Sequence, residues 1–136
     1  MVAVIMIDLK NVTKKFSDTL ALNHINLHFD NKGVFTIIGP SGAGKTTLLK
    51  ILALLLEPTK GQIFVNNVNV DNNMRYSLRS KFTMVFQNTL FFSSNVHDNI
   101  SYGLNIRNLP SDEVEKRIRD VLKRFDLIEL EKKLMF

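Results

Sequence analysis

The chain contains no cysteine and no tryptophan, and only three histidines, three prolines and six glycines. Without cysteine there can be no disulfide framework and no thiolate zinc site, and such a composition suits a reducing compartment. His24, His28 and His97 are not spaced as a helical metal-binding pair with an acid between them. Long apolar runs are also missing. The densest, Leu48–Leu56, is interrupted by Lys50 and falls far short of the roughly 20 residues that cross a bilayer. The apolar opening Met1–Ile7 meets Asp8 and Lys10 at once and lacks the basic start of a secretory signal. A soluble, non-secreted chain is expected. The net charge is +5, but no three basic residues are consecutive, so the excess is thinly spread and no nucleic-acid partner is expected. No internal repeat or low-complexity segment is present.

What is present is 136 residues, 45% hydrophobic and 23% charged, which describes one ordinary globular domain and excludes disorder over the whole length. Val2–Leu9 is short, apolar and rich in β-branched residues, the mark of a strand. Ile25, Leu27 and Phe29 alternate with Asn26 and His28, a half-buried strand. Asp30-Asn31-Lys32-Gly33 is turn chemistry. Val34–Ile38 is continuously apolar and reads as a strand buried on both faces. Lys45–Leu56 reads as a mostly buried helix, with Leu48, Leu49, Leu52, Leu55 and Leu56 at helical spacings, ended by Glu57-Pro58. Gly61–Val65 and Val68–Val70 suggest a hairpin turning at Asn66-Asn67, and Phe82–Phe86 a further strand. Residues 88–109 have weak periodicity. Ser111 is a candidate cap for a helix with Asp112 and Glu113 in its first turn and an apolar stripe of Val114, Ile118, Val121, Leu122 and Phe125. The order is an α/β pattern with a β-rich start.

The strongest signal is Gly39-Pro40-Ser41-Gly42-Ala43-Gly44-Lys45-Thr46, a full match to G-x-x-x-x-G-K-[ST] between a predicted strand and a predicted helix. Gly42 and Gly44 let the backbone curl so that successive N–H groups point inward, a nest for phosphate oxygens. The helix start adds free N–H groups and the positive end of its dipole. Lys45 would reach the β- and γ-phosphates, Thr46 would offer a hydroxyl to Mg²⁺, and Thr47 would bond the α-phosphate. Kinases, GTPases and helicases use such a loop too, so the flanking residues must discriminate.

Those flanks resemble the ATP-binding subunits of ABC transporters. Ile37–Leu49 is similar to that family's P-loop, with its Pro-Ser pair and Thr-Leu-Leu exit. Glu57-Pro58-Thr59-Lys60-Gly61-Gln62-Ile63 resembles the segment leading to the next strand. Val85-Phe86-Gln87-Asn88-Thr89-Leu90-Phe91 resembles the Q-loop, and Val96–Gly103 the start of the helical subdomain. The resemblance covers about residues 5–130. It implies a P-loop NTPase of ABC type with an N-terminal antiparallel β part, divided into a nucleotide-binding core over residues 1–87 and the Q-loop with the beginning of the helical subdomain over 88–136. It implies that Gly39, Pro40, Ser41, Gly42, Ala43, Gly44, Lys45, Thr46 and Thr47 bind ATP, that Thr46 and Gln87 ligate Mg²⁺, and that Lys45 and Gln87 serve catalysis. Phe16 stands where the family carries an aromatic residue that stacks on adenine. Met84, Phe86, Phe91 and Phe92 read as core or subunit-facing residues.

The resemblance also implies partners: transmembrane permease subunits, a second ATP-binding subunit, and a location in the cytoplasm on the inner face of the membrane. Tyr102–Pro110 is similar to importers, especially those for tungstate, molybdate or phosphate. Two family features are absent. No glycine follows Gly103, so there is no signature loop, and Asp71 and the Asp112-Glu113 pair do not follow apolar runs as a Walker B acid would. A chain truncated within the helical subdomain, weak in turnover by itself, is therefore expected. So is apolar surface and unpaired backbone along Val34–Ile38, where the family's Walker B strand would lie. A non-catalytic docking module is the alternative.

Overall fold

A computed structural model describes residues 5–30 and 33–135. Residues 2–4 of the first predicted strand, and Asn31 and Lys32 of the predicted turn, lie outside them. The chain divides into two compact units, Met1–Val85 and Phe86–Phe136.

The first unit is built on a four-stranded antiparallel sheet of order β2-β1-β3-β4. Its strands are β1 (Ile7–Phe16), β2 (Thr19–Phe29), β3 (Lys60–Val65) and β4 (Val68–Asn69). β1 and β2 pair from Ile7↔Phe29 to Phe16↔Thr19, with register shifts along the way. At the first shift Asn11 takes a positive φ of 51°. The Asn26 amide repairs the ladder there, its Oδ1 accepting from Asn11 N at 2.8 Å and its Nδ2 donating to the Asn11 side chain at 3.2 Å. Asparagine is among the few residues that tolerate this backbone. The β3–β4 hairpin turns as expected at Asn66 and Asn67, with φ of 50° and 64°, the primed geometry that matches strand twist.

Helix α1 (Lys45–Leu52) packs on this sheet. Its Leu48 and Ile51, with the following Leu54, join Leu9, Val12, Leu22, Ile63, Val65 and Val70 in one core. Each such buried aliphatic side chain is worth about 1.5–3 kcal/mol. The helix is shorter than expected. Leu54 adopts φ 58°, its N–H bonds Ile51 O, and Leu55 N–H reaches back to Lys50 O at 2.8 Å, a Schellman closure. The left-handed turn costs a leucine about 1–2 kcal/mol, but it drives the side chain to full burial. Helix α2 (Asn72–Arg79), which periodicity does not reveal, is capped by Asp71, whose Oδ1 accepts from Met74 N at 2.7 Å. Asp71 is therefore a cap and not a metal ligand. From α2, Arg75 and Arg79 donate to Leu56 O and Leu54 O, carbonyls left over after α1.

Two predicted strands do not form. Val34–Ile38 and Phe82–Phe86 carry no ladder, because no strand of the described residues lies alongside to complete their hydrogen bonds. Val34–Ile38 turns one side inward, although Phe35 on that side is still 53% exposed. Phe35 meets Phe29 edge to face at 4.9 Å and Ile37 packs on the core, whereas Val34 and Ile38 are 97% and 90% exposed. That is the period-2 alternation of an extended segment with a bare outer face. Leu49 and Leu55 are exposed as well, and an apolar groove of about 330 Å³ is lined by Ile7, Leu49, Leu52 and Phe82–Val85.

The second unit consists of α3 (Val96–Asn105), α4 (Ser111–Arg124) and a 3₁₀ turn (Ile128–Leu130). α3 arises in the segment of weak periodicity, capped by Asn95 Oδ1 on Asp98 N at 2.8 Å. Pro110, not Ser111, is the N-cap of α4, and no side chain caps it; Ser111 is the first helical residue. Asp112 and Glu113 do occupy the first turn, and Glu113 pairs with Arg117 one turn on. The buried stripe is narrower than expected. Val114, Ile118 and Leu122 are buried against Val96, Ile100, Leu104 and Leu109, while Val121 and Phe125 remain largely exposed.

Candidate functional site

The glycine loop lies at the entrance to α1. Pro40 and Ala43 close a turn through Ala43 N–H donating to Pro40 O at 3.3 Å. Gly42 and Gly44 both have φ near +80°, at 82° and 85°, a conformation glycine adopts freely and other residues rarely. Their surroundings differ. A Cβ on Gly42 would touch nothing within 4 Å, whereas one on Gly44 would stand 2.4 Å from Ala21 O and 3.0 Å from Leu22 Cδ2. Gly42 is thus needed for its backbone angle alone. Gly44 is needed for its angle and for the close seating of the loop on β2, a contact that no local pattern announces.

Gly44 is the N-cap of α1 and offers no side-chain oxygen. The first intrahelical bond runs from Leu48 N to Gly44 O at 2.9 Å. The N–H groups of Lys45, Thr46 and Thr47 find no acceptor among the described residues. Three free donors at the positive end of a helix form an anion receptor. Ser41, Gly42, Ala43 and Thr46 are exposed, with Lys45 and Thr47 half-buried, so the receptor opens to solvent. The Lys45 ammonium folds over the loop and donates to Gly39 O at 2.8 Å and Pro40 O at 2.7 Å. A cation is therefore held at the mouth of the nest, on flexible bonds that an incoming phosphate can replace.

Phe16 ends β1 at the tip of the β1–β2 hairpin, opposite Thr19. Two residues beyond Thr19, Ala21 meets the loop at Gly44. The ring is 46% exposed, with the Lys14 ammonium 5.1 Å from its centroid. The ring is thus too exposed for a core residue, and the Lys14 ammonium lies over it. Gln87 belongs to the second unit, exposed in the bend near its start. Leu90, Phe91 and Phe92 follow, 95%, 54% and 54% exposed, so these aromatics are surface and not core.

Comparison with known proteins gives this loop its setting. A family model described as ABC transporter matches residues 22–135. The Fe(3+) ions import ATP-binding protein FbpC of Photobacterium profundum is 41% identical over 121 residues, covering 88% of this chain and 34% of that one. The methionine import ATP-binding protein MetN of Francisella tularensis is 40% identical over 136 residues, covering 94% and 38%. This chain therefore spans little more than a third of the length of these curated relatives. Among solved structures, cbiO1 of Clostridium perfringens, part of the ABC transporter complex cbiONQ, superposes with a TM-score of 0.77 at 32% identity over 94% of this chain and 53% of that one. The ATP-binding cassette MJ0796, solved as a dimer in a post-hydrolysis state with ADP and Pi, gives 0.76 at 28% identity over 93% and 60%. The match over residues 22–135 makes this chain a member of the ABC transporter family, with the P-loop NTPase fold of its ATPase core.

Proposed function

We propose that this chain is the phosphate-binding part of an ABC transporter's ATP-binding subunit, and that it binds ATP with Mg²⁺. The observation that carries the reading is the row of unpaired N–H groups at Lys45, Thr46 and Thr47 beneath the Lys45 ammonium. These donors match the oxygens of a triphosphate, and the exposed Thr46 hydroxyl is a hard oxygen ligand of the kind Mg²⁺ takes. When bound, the cation would neutralise charge on the phosphate oxygens. The chain's own contribution is positioning: the amides orient the phosphates, Lys45 offsets their charge, and the Phe16 ring offers adenine a flat apolar face. Phosphoryl transfer needs little more from a protein than this positioning and charge compensation, together with a group that orients the attacking water. No residue described above fills that last role, so binding with weak or no turnover is the proposed behaviour of this chain.

The proposal extends to the assembled transporter: import of a small solute, with transmembrane permease subunits and a second ATP-binding subunit as partners, at the cytoplasmic face of the membrane. No helix among the described residues is long and apolar enough to cross a membrane, which is consistent with a peripheral subunit. The import reading is supported by relatives named for ferric ion, methionine and sulfate/thiosulfate, and the last of these supports an oxyanion cargo such as tungstate, molybdate or phosphate. The exposed Leu90, Phe91, Phe92 and Tyr102 favour a docking role for the second unit. Gln87 is proposed as catalytic and as a Mg²⁺ ligand, as the family resemblance implies.

A titration with mant-ATP and Mg²⁺ tests the nucleotide reading. Saturable binding that Lys45→Ala weakens by tenfold or more is expected, with little phosphate release. Robust hydrolysis abolished by Lys45→Ala would overturn the binding-without-turnover reading, and absence of binding would overturn the site. Pull-down against a permease, with and without Gln87→Ala, tests the docking role.

A further inference from the structure

Outside the glycine loop, one group of side chains converges with the geometry of a ligand set. In the second unit His97, Glu115 and Glu131 bring one ligand atom each to within 4.8 Å of one another. We propose that these three residues form a binding site for a divalent transition-metal ion of the zinc or cobalt type, clasping α3, α4 and the segment after the 3₁₀ turn. The site goes beyond the nucleotide reading and does not depend on it.

Each ligand stands on separately fixed backbone. His97 lies in the first turn of α3, after the Asn95 cap. Glu115 lies near the start of α4, whose Val114 and Ile118 are buried in the core the two helices share. Glu131 is held by main-chain bonds that do not involve its carboxylate. His97 N–H donates to Glu131 O at 2.9 Å, Val96 N–H to Lys133 O at 3.0 Å, and Met135 N–H to Ser94 O at 2.9 Å. The backbone beneath the three side chains is thus fixed by the fold of this unit, and the His97–Glu115 hydrogen bond adds to it. Preorganisation of that kind is what a metal site requires.

The chemistry agrees. His97 Nε2 and Glu115 Oε1 share a hydrogen bond of 3.0 Å; an ion taking the place of that proton would need the two atoms to spread only to the spacing of about 3.3 Å between neighbouring ligands of a tetrahedral zinc with metal–ligand bonds near 2.05 Å. The Asp98 carboxylate lies 3.5 Å from Nδ1 on the far side of the ring. Once an ion displaces the Nε2 proton, a carboxylate at the second nitrogen holds the remaining proton on Nδ1 and orients the ring. Two carboxylates and one neutral imidazole carry two negative charges, which a divalent cation balances. Neither Glu115 nor Glu131 has an arginine or lysine ion pair among the described residues. One nitrogen and two oxygen donors suit Zn²⁺, Co²⁺ or Mn²⁺ better than soft Cu⁺ or the all-oxygen preference of Ca²⁺. Three protein ligands leave a fourth position for water, and the half-open Glu115 gives an ion access.

His28 provides the contrast within the same chain. It too contacts two carboxylates, but Asp8 lies on Nδ1 at 2.6 Å and Asp30 on Nε2 at 2.9 Å. Those acids sit at opposite ends of the ring, as Asp98 and Glu115 do at His97, but among the described residues no third acid joins either of them as Glu131 joins Glu115.

The test is Co²⁺ titration of the full, nucleotide-free chain, followed by optical absorption and calorimetry, with Zn²⁺ as competitor. One equivalent of Co²⁺ is expected to bind saturably at micromolar concentration, to give visible d–d bands, and to be displaced by Zn²⁺. Glu131→Gln keeps the main-chain bonds and should weaken binding tenfold or more without loss of helical circular dichroism. His97→Ala should abolish it, and Asp98→Asn should weaken it about tenfold. His28→Ala should leave it unchanged. Absence of saturable binding overturns the proposal. So does binding that survives both Glu131→Gln and His97→Ala, or that is lost with His28→Ala.

Discussion

Replacing Gly44 and Gly42 by alanine, one at a time, separates the two demands made on the loop. Both residues have φ near +80°, so each alanine bears the left-handed penalty of about 1–2 kcal/mol. Gly42→Ala should cost little beyond that, since its new methyl meets nothing within 4 Å. Gly44→Ala adds a methyl 2.4 Å from the Ala21 carbonyl oxygen, about 1 Å closer than ordinary contact. The obstacle is main chain in β2, so it cannot rotate away; β2 or α1 must shift. Overpacking of this kind costs typically about 1–3 kcal/mol. The expected losses are therefore about 1–2 kcal/mol for Gly42→Ala and about 2–5 kcal/mol for Gly44→Ala. Against a domain stability of about 5–15 kcal/mol, the second is severe. Urea denaturation followed by circular dichroism reads both, and with slopes of about 1–3 kcal/mol/M the midpoints should differ by at least several tenths of a molar unit. Equal losses, or a greater loss for Gly42→Ala, would refute the claim that the loop is seated on β2 through Gly44.

Three further outcomes follow from the first unit. Leu54→Ala empties a fully buried position and should cost about 2–5 kcal/mol, measured by the same denaturation; a loss below 1 kcal/mol would mean that the Schellman turn and not the core holds this leucine. The Asp8 carboxylate, and then Asp30, hold the His28 proton, so its pKa is raised above 6.5. The pair therefore stabilises the fold fully below the unfolded histidine value, and that contribution fades as pH rises through the folded value; NMR titration should find a raised pKa that Asp8→Asn brings back toward normal. The exposed Val34, Ile38, Leu49 and Val85 should bind the dye ANS and give a melting temperature that rises with protein concentration, whereas a sharp, concentration-independent melt would count against them as pairing surface.

The features legible in the sequence are those whose cause is local. The glycine loop is eight consecutive residues whose backbone angles and free amides follow from their own types. The Asn66-Asn67 hairpin and the acidic first turn of α4 are likewise written in adjacent residues. Helix α2 was missed because its segment, Asn72–Arg79, is polar and lacks an apolar stripe; its one signal was the Asp71 cap. The end of α1 was misjudged because a leucine at positive φ is tolerated only where burial offsets the strain, and burial is a property of distant residues.

By itself the sequence determined the glycine loop and the family to which the chain belongs, since each rests on neighbouring residues or on motifs in fixed order. Tertiary structure alone decided that Val34–Ile38 and Phe82–Phe86 are extended without being strands, because a strand exists only when a second backbone supplies its hydrogen bonds. It alone decided that Gly44 is pressed against Ala21, and that His97, Glu115 and Glu131 meet. Those contacts join residues 16 to 34 positions apart, and nothing in the order of amino acids expresses a distance that only folding creates.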